Sequence, residues 1–317
     1  MKKLSDRVLH FTNGAGFLGI IEGDHLRATH FEYTNDSSEL RSYLDAISRL
    51  SLNSDVEADS DNLIEEKDGK IIVTLSQTNW QILQLGIVRN PDQFLNAYLT
   101  SFCKIQNMYQ YYNGLLSQWR GYSNDGGYAL EFFKDEIINK LQGLSETESF
   151  SFTTDVKYVD NTKIERELQK SFYKTASISQ RQSILDKNLF DMGPFNLNDK
   201  RSVIGLAGIQ VALQVMKSCL QYKNLHFSEE NEWRVGSFHM KPLDEGSSFV
   251  NFYNRGGTLT PYLRILAGKT CKLLRRVVVG PHPQQGRRIR SAEMLLAKHG
   301  CKAKVSGSSI PFTRLTQ

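Results

Sequence analysis

Arg-Val-Leu-His-Phe-Thr, residues 7–12, followed by Asn-Gly-Ala-Gly, residues 13–16, is the stretch of sequence that indicates the fold. The first six residues are β-prone and predict a strand, while the Asn and Gly residues after them predict its end and a turn. Residues 17–22 then have the pattern of one or two helical turns. The chain therefore begins with a strand, a turn and a short helix.

Strand and helix patterns follow one another irregularly along the rest of the chain. Further strands are predicted at 26–33, 97–104, 127–133, 232–241, 273–279 and 303–306, with helices at about 39–50, 160–188, 200–222 and 286–299. Residues 71–90 are predicted to be either a helix or a strand followed by a helix. Strands at both ends flank a helical middle near 160–222, which is not the strict βαβ alternation of a doubly wound fold. We therefore predict one α+β domain over residues 1–317, with a mixed, largely antiparallel or split sheet flanked by helices.

The charge of the chain is nearly balanced, with 39 Lys and Arg against 34 Asp and Glu, a net charge of +5. That balance does not require nucleic acid or an anionic membrane as a partner. Residues 54–68 hold seven acidic side chains and one lysine, which predicts an exposed insertion. Residues 269–304 hold ten basic side chains and one acid, Glu293. Within that segment we predict a nucleic-acid groove at Arg287, Arg288 and Arg290; the alternative is pairing with the acidic insertion or with a protein partner.

The cysteine spacing and the absence of common enzyme motifs exclude several classes of protein. The four cysteines form neither a CxxC pair nor a regular spacing, so we predict neither a zinc ribbon nor a disulfide framework, and a cytoplasmic location. The most apolar stretch, 203–216, is shorter than the roughly 20 residues of a membrane span. Phosphate-loop, GxGxxG, GxSxG, HExxH and EF-hand patterns are absent from the sequence.

Two polar clusters lie beside the N-terminal strands. His10 and Thr12 are two residues apart on a strand and should project from one face, either as a ligand-binding pair or with His10 as a structural histidine. Tyr33 precedes Asn35 and Asp36, and helix capping explains those two residues but does not require the tyrosine.

Two further polar clusters lie later in the chain. Ser-Gln-Trp-Arg-Gly-Tyr, residues 117–122, is predicted to be a polar loop in which Arg120 offers a planar fork of donors for a phosphate or carboxylate. A cation–π contact that holds the loop is the alternative. Glu230, Glu232 and Arg234 share one strand face, and such charges are costly to bury unless they are paired or used. An exposed charged edge is the alternative there.

The order of these motifs resembles a large bacterial family known mainly as a domain of unknown function. The resemblance runs from residue 10 to residue 314 and is carried by His10-x-Thr12, Asn35-Asp36 with Glu39, Ser117-Gln118-Trp119-Arg120-x-Tyr122, Glu230-x-Glu232-Trp233-Arg234, Val279-Gly280-Pro281 and Ser309-Ile310-Pro311. The motif order is more distantly similar to that of ADP-ribosyltransferases, which bind and cleave NAD. The sequence departs from the transferase pattern in having no Ser-Thr-Ser strand signature.

The resemblance implies roles for the residues of an NAD site. His10 and Thr12 would hydrogen-bond the adenosine ribose, Tyr33 or Tyr122 would stack on nicotinamide, and Arg120 would take the pyrophosphate. NAD is cleaved through an oxocarbenium-like transition state, so one carboxylate can stabilise the developing charge without a metal. We assign that role to Glu232, with Glu230 orienting the acceptor or water.

The function that the resemblance implies is thus an NAD-using ADP-ribosyltransferase or NAD glycohydrolase, as a bacterial toxin or anti-phage defence effector. Its acceptor would be a nucleic acid, a protein or water, and an inhibitory protein could keep it silent. One alternative is a metal-dependent nuclease or phosphodiesterase that uses Asp36, Glu39, Glu230 and Glu232. Another is a non-catalytic ligand- or partner-binding module. The NAD reading requires His10, Arg120 and Glu232 to line one pocket.

Overall fold

The structure is a computed structural model that describes residues 3–34, 61–68, 70–76, 79–80, 97–122, 126–141, 149–160, 163, 182–186, 199–201, 203–208, 217, 220–239 and 249–311. The chain divides into two compact units. The first comprises Met1–Asn35, Asn96–Val156 and His226–Gln317, and the second comprises Asp36–Leu95 and Lys157–Leu225. The prediction of a single domain stays a prediction.

The strands and helices are numbered along the chain. The strands are β1 (Arg7–Thr12), β2 (Leu26–His30), β3 (Leu63–Lys67), β4 (Lys70–Thr74), β5 (Ala97–Lys104), β6 (Tyr128–Phe133), β7 (Ser149–Asp155), β8 (Lys157–Val159), β9 (Gln182–Asp186), β10 (Tyr222–Asn224), β11 (Glu232–His239), β12 (Asn251–Arg255), β13 (Thr258–Ile265), β14 (Arg276–Val279) and β15 (Lys304–Gly307). The helices are α1 (Gly14–Gly23), α2 (Met108–Asn113), α3 (Leu116–Tyr122), α4 (Lys134–Leu141), α5 (Thr270–Leu273) and α6 (Gln285–Lys298).

The first unit is built on a ten-stranded sheet in which β5 is the central strand. Along one edge β5 pairs with β11, and β11 pairs in turn with β7. Two strands share the other edge of β5. Strand β1 pairs with Cys103 and Lys104 at one end of β5, and β2 pairs with Tyr98 and Leu99 nearer its other end. Between them the edge is open, and the Ser101 carbonyl lies 3.0 Å from the Nδ1 of His10. The pairs in this sheet are antiparallel except β14 with β15, so the prediction of a largely antiparallel or split sheet in an α+β fold is confirmed.

The sheet has two faces with separate apolar cores. The first face carries Val8, Phe102, Leu130, Trp233 and Val277, and α1 and α6 bury their apolar sides in the same core. The second face is defined by another set of buried residues, namely Leu9, Phe11, Cys103, Ala129 and Val278, which pack with Trp119 of α3. Because successive side chains of a strand point to opposite faces, adjacent residues such as Leu9 and His10 belong to different faces.

The second unit contains two smaller sheets. Strands β3, β4 and β9 form an antiparallel sheet, and β8 pairs with β10 in parallel. The predicted helix over 160–188 is wrong at Gln182–Asp186, which is strand β9. The rest of that helix lies almost entirely outside the described residues, as does much of the predicted helix at 200–222, of which 203–208 is helical. The acidic insertion is described from residue 61, where β3 is mostly exposed.

Two other predictions are corrected by the structure. Residues 117–122 belong to helix α3 rather than to a loop, because the buried Trp119 anchors the segment against the second face. Cys271 and Cys301 form a disulfide, with Cα atoms 5.0 Å apart, although the sequence predicted no disulfide framework. Their separation of 30 residues has no recognisable pattern, and the tertiary fold brings them together. None of the described helices is long and apolar enough to cross a membrane.

Candidate functional site

Glu232 and Arg234 form a buried ion pair. Their side chains are 4% and 6% exposed, and the Nε of Arg234 lies 2.9 Å from one carboxylate oxygen while its Nη2 lies 3.0 Å from the other. The two residues are two apart on β11 and therefore share a face. This bidentate geometry is the arrangement in which a buried carboxylate is neutralised by arginine. The pairing that the sequence required of these charges is present.

His10 lies on the other face of the sheet. Glu232 pairs with Cys103 and Cys103 pairs with Leu9, so Glu232 shares the second face with Leu9, and His10 points to the first face. The imidazole of His10 packs against Phe102 with ring centroids 5.5 Å apart, and burial lowers its pKa. The prediction that His10 and Glu232 line one pocket is wrong, because β5 lies between their strands and sets their register to opposite faces.

The other predicted NAD-site residues are spread over the first unit. Arg120 is exposed on α3, and Tyr122 packs against the core of the second face. Tyr33 follows β2, is 39% exposed, and its carbonyl accepts a hydrogen bond of 3.0 Å from Arg255. Glu230 ends the short 3₁₀ helix before β11. Of the predicted set, His10 and Thr12 share a face, as their spacing indicated.

A second buried carboxylate neutralises part of the basic segment. Glu131 is completely buried, and its two oxygens pair with Arg7 and with Arg276, the latter at 2.7 Å. Arg276 also lies 3.9 Å from the ring centroid of Tyr111, and the neighbouring Arg275 pairs with Glu136. The positive charge of the basic segment is therefore lower than its ten basic residues indicated, because two of its arginines form ion pairs with acids elsewhere in the chain.

Three of the recognised motifs meet around the indole of Trp119. Its Nε1 donates to the Asn113 carbonyl at 2.9 Å, and the Asn113 side-chain oxygen accepts from the hydroxyl and the N–H of Ser309. A Cβ on Gly280 would lie 2.8 Å from a Trp119 ring carbon and 2.0 Å from the Gly126 carbonyl oxygen. These motifs therefore build the scaffold that holds the turn after β14.

Replacing Gly280 with alanine is expected to destabilise the protein by about 3 kcal/mol, the upper part of the range for overpacking, because a backbone oxygen blocks the added methyl group. The matched control is Gly286→Ala in α6, where a Cβ would meet no atom within 4 Å and stability should stay the same or rise by up to about 1 kcal/mol. Urea denaturation of both variants measures the difference. Equal stabilities would contradict the packing described around Trp119.

Strands β1 and β14 end side by side, and each is followed by a helix. Thr12 at the end of β1 pairs with Tyr128 of β6, and Tyr128 pairs with Val279 at the end of β14. Because β6 is antiparallel to both strands, β1 and β14 run in the same direction, about 10 Å apart at the usual strand spacing. Helix α1 starts two residues after β1 ends and α6 starts six residues after β14 ends; both helices cover the first face and contact each other. The N-termini of both helices therefore lie at one end of the sheet.

The first turns of these helices present unbonded N–H groups. In α1 the side chain of Asn13 accepts from the Gly16 N–H at 2.8 Å, while the N–H groups of Gly14 and Ala15 have no acceptor among the described residues. In α6 the Gln284 side chain makes no capping hydrogen bond, and within the described part of the chain the Gly286 N–H also has no acceptor. Helix N-termini of this kind attract anions through their N–H groups and dipoles.

Tyr128 lies between the two helix starts. Its side chain packs on Phe17 with ring centroids 4.3 Å apart, and the residue is only 9% exposed. Burial raises the pKa of Tyr128, and the nearby Arg288 guanidinium opposes that rise. The Tyr128 hydroxyl makes no hydrogen bond to any residue that the structure describes, and it is not one of the buried polar atoms that lack a partner. A tyrosine whose ring is packed and whose hydroxyl donates to no described residue, beside an arginine and two helix N-termini, can offer that hydroxyl to an anionic ligand.

The sequence motifs do not indicate this strand-end site, which we define by Thr12, Gly14, Tyr128, Gly286 and Arg288. The sequence predicts other roles for Thr12 and Arg288, and residues 13–16 predict only the end of a strand and a turn. The sequence feature that could indicate this site is Asn13 with Gly14 and Gly16, which lie directly after a strand and before a helix. Recognising it as a site requires the second helix start, which the local sequence does not reveal.

Comparison with known proteins connects part of the chain to a family. No curated protein matches the chain, and no solved structure matches it. Residues 118–235, which run from α3 to β11, match the model of a family described as "Protein of unknown function (DUF2971)". This match confirms the predicted resemblance to a domain-of-unknown-function family, and over residues 118–235 the chain carries the pattern of that family.

Proposed function

We propose that this chain is a binding module for a phosphate-bearing ligand, held at the strand-end site between α1 and α6. The observation that carries the proposal is the Tyr128 hydroxyl, which has no hydrogen-bond partner among the described residues and lies beside Arg288 and two helix starts. The N–H groups of Gly14 and Gly286 would donate to phosphate oxygens. Arg288 and the Tyr128 hydroxyl would add a cation and a further donor.

The sequence predicts NAD as the ligand, but His10 and Glu232, which that prediction places in one pocket, lie on opposite faces of the sheet. The pyrophosphate group of NAD would suit a site with two helix N-termini. The cleavage chemistry has less support. Glu232 lies on the opposite face from Thr12 and Tyr128 and is bound to Arg234, so we assign it a structural role. The ADP-ribosyltransferase or NAD glycohydrolase activity, and with it the toxin or defence role, stays a prediction.

The nuclease alternative has no positive support in the structure. Asp36 and Glu39 lie outside the described residues, and Glu232 is paired with Arg234. Among the residues described, no group of three His, Cys, Asp or Glu side chains is placed to hold a metal ion. The nucleic-acid groove at Arg287, Arg288 and Arg290 likewise stays a prediction, and Arg290 lies 3.9 Å from Glu293 on the same helix.

Isothermal titration calorimetry tests the proposed function. Pyrophosphate, ADP-ribose and NAD should bind at low salt, whereas adenosine and nicotinamide, which lack phosphate, should not. Binding should weaken as salt is added, because the attraction between the site and the phosphate is screened. Equal binding of adenosine and ADP-ribose would show that the phosphate is not what the chain recognises.

A further inference from the structure

A second group of unpaired polar side chains lies on β2 and β13 of the ten-stranded sheet. Arg27 of β2 pairs directly with Arg264 of β13, so two cations face each other across neighbouring strands. Like charges in directly opposed positions repel one another. No carboxylate of the described residues forms an ion pair with either arginine. The pair therefore concentrates positive charge on one face of the sheet. Asp24 acts on the neighbouring His25 but forms no ion pair with either arginine.

Aromatic rings hold the guanidinium of Arg27 in place. Its central carbon lies 4.8 Å from the ring centroid of Tyr253 and 5.3 Å from that of Tyr262. On its other side a Cβ on Gly19 of α1 would lie only 2.4 Å from the Nη2 of Arg27, so the helix approaches the guanidinium closely. The Nε of Arg27 is buried and has no hydrogen-bond partner. A fixed cation with an unused donor indicates a missing acceptor.

His25 adds an unused acceptor to the same group. Its ring is stacked on Tyr262 with centroids 5.9 Å apart and an interplanar angle of 6°. Burial lowers the pKa of His25, which favours the neutral imidazole. Its Nδ1 lies 2.8 Å from the Gly23 carbonyl and serves as the donor there, which leaves Nε2 as an acceptor. That Nε2 is buried and has no partner.

We propose that Arg27, Arg264 and His25 form a binding site for a phosphate monoester that carries a neighbouring hydroxyl group. Two unpaired arginines favour a dianion, and a phosphate monoester carries nearly two negative charges at neutral pH. Its oxygens would accept from the Nε of Arg27, and the neighbouring hydroxyl would donate to the Nε2 of His25. The tyrosine rings hold the guanidinium flat, which suits the planar recognition of phosphate by arginine. This site is distinct from the strand-end site and does not depend on it.

Titration with glycerol 3-phosphate, a phosphate monoester with a neighbouring hydroxyl, tests the proposal on the full chain. The wild-type protein should bind it, and Arg27→Met should weaken binding at least about tenfold, the scale of a lost charged hydrogen bond. The matched control is Arg255→Met, which removes the same charge from the adjoining hairpin and should bind as the wild type does. Arg288→Ala should weaken phosphate binding at the strand-end site only, and should leave in place the binding of glycerol 3-phosphate that Arg27→Met weakens.

Several outcomes would overturn the proposal. They are absence of binding to the wild type, unchanged affinity in Arg27→Met, or a loss in Arg288→Ala alone, which would assign the ligand to the strand-end site. Lactate, a hydroxycarboxylate, serves as the comparison probe, and binding as tight as that of glycerol 3-phosphate would contradict the choice of a phosphate. If Arg27→Met fails to fold, Arg27→Lys takes its place, because it keeps the charge but lacks the Nε donor. Unchanged affinity in Arg27→Lys would also overturn the proposal.

Discussion

Replacing Glu232 with alanine is expected to lower the free energy of unfolding by about 3–5 kcal/mol, because it leaves Arg234 buried without its carboxylate partner. The catalytic role inferred from the sequence resemblance predicts a different result. A carboxylate that only stabilises a transition state could be lost with little effect on stability and a large effect on turnover. Urea denaturation and an NAD hydrolysis assay on the same variant therefore separate the two roles.

Replacing both members of the ion pair tests the structural role without relying on the size of the stability loss in Glu232→Ala. Glu232→Leu with Arg234→Met removes both charges and keeps apolar bulk, and buried pairs replaced in this way often lose little or no stability. The double variant should therefore be more stable than Glu232→Ala, and the coupling energy of the cycle should be large. Glu293→Ala on the exposed face of α6 serves as the control and should change stability by less than about 0.5 kcal/mol. A stable Glu232→Ala protein that has lost NAD hydrolysis would contradict the structural role.

The second large effect is expected at the strand-end site. Arg288→Ala should weaken pyrophosphate binding by about 10- to 100-fold, since a hydrogen bond to a charged group contributes roughly 1.5–3 kcal/mol. Arg290→Ala is the matched control: it removes the same charge from an exposed position that lies beside Glu293 and should change affinity less than threefold or so. Titration calorimetry measures both variants. Equal losses would mean that the helix attracts phosphate only through its general charge.

The sequence predicted seven of the ten strands of the first unit's sheet, because their patterns are local, and did not predict β7, β12 and β13. Residues 7–12 and 97–104 are strands with the predicted bounds, and 127–133 differs by one residue. The predicted loop at 117–122 is a helix because a tertiary contact decides it. Trp119 packs edge-on against Phe11 with ring centroids 4.8 Å apart, and no local pattern contains that partner.

The arrangement of the site depended on strand pairing, which local patterns do not contain. The spacing of His10 and Thr12 placed them correctly on one face, and the spacing of Glu232 and Arg234 predicted a shared face for them. Whether the two pairs lie on the same face depends on the register of β1 and β11 against β5. A shift of one residue in such a register reverses every side chain. The predicted NAD pocket is wrong because the order of motifs in the sequence does not determine that register.

The central claim, a phosphate site between the starts of α1 and α6, is tested most directly by a crystal structure of the protein soaked in pyrophosphate. The account predicts density for the ligand within hydrogen-bonding distance of the Gly14 and Gly286 N–H groups, the Tyr128 hydroxyl and the Arg288 guanidinium. Pyrophosphate bound instead at Arg120, or a strand-end site that stays empty while pyrophosphate occupies another part of the chain, would contradict it.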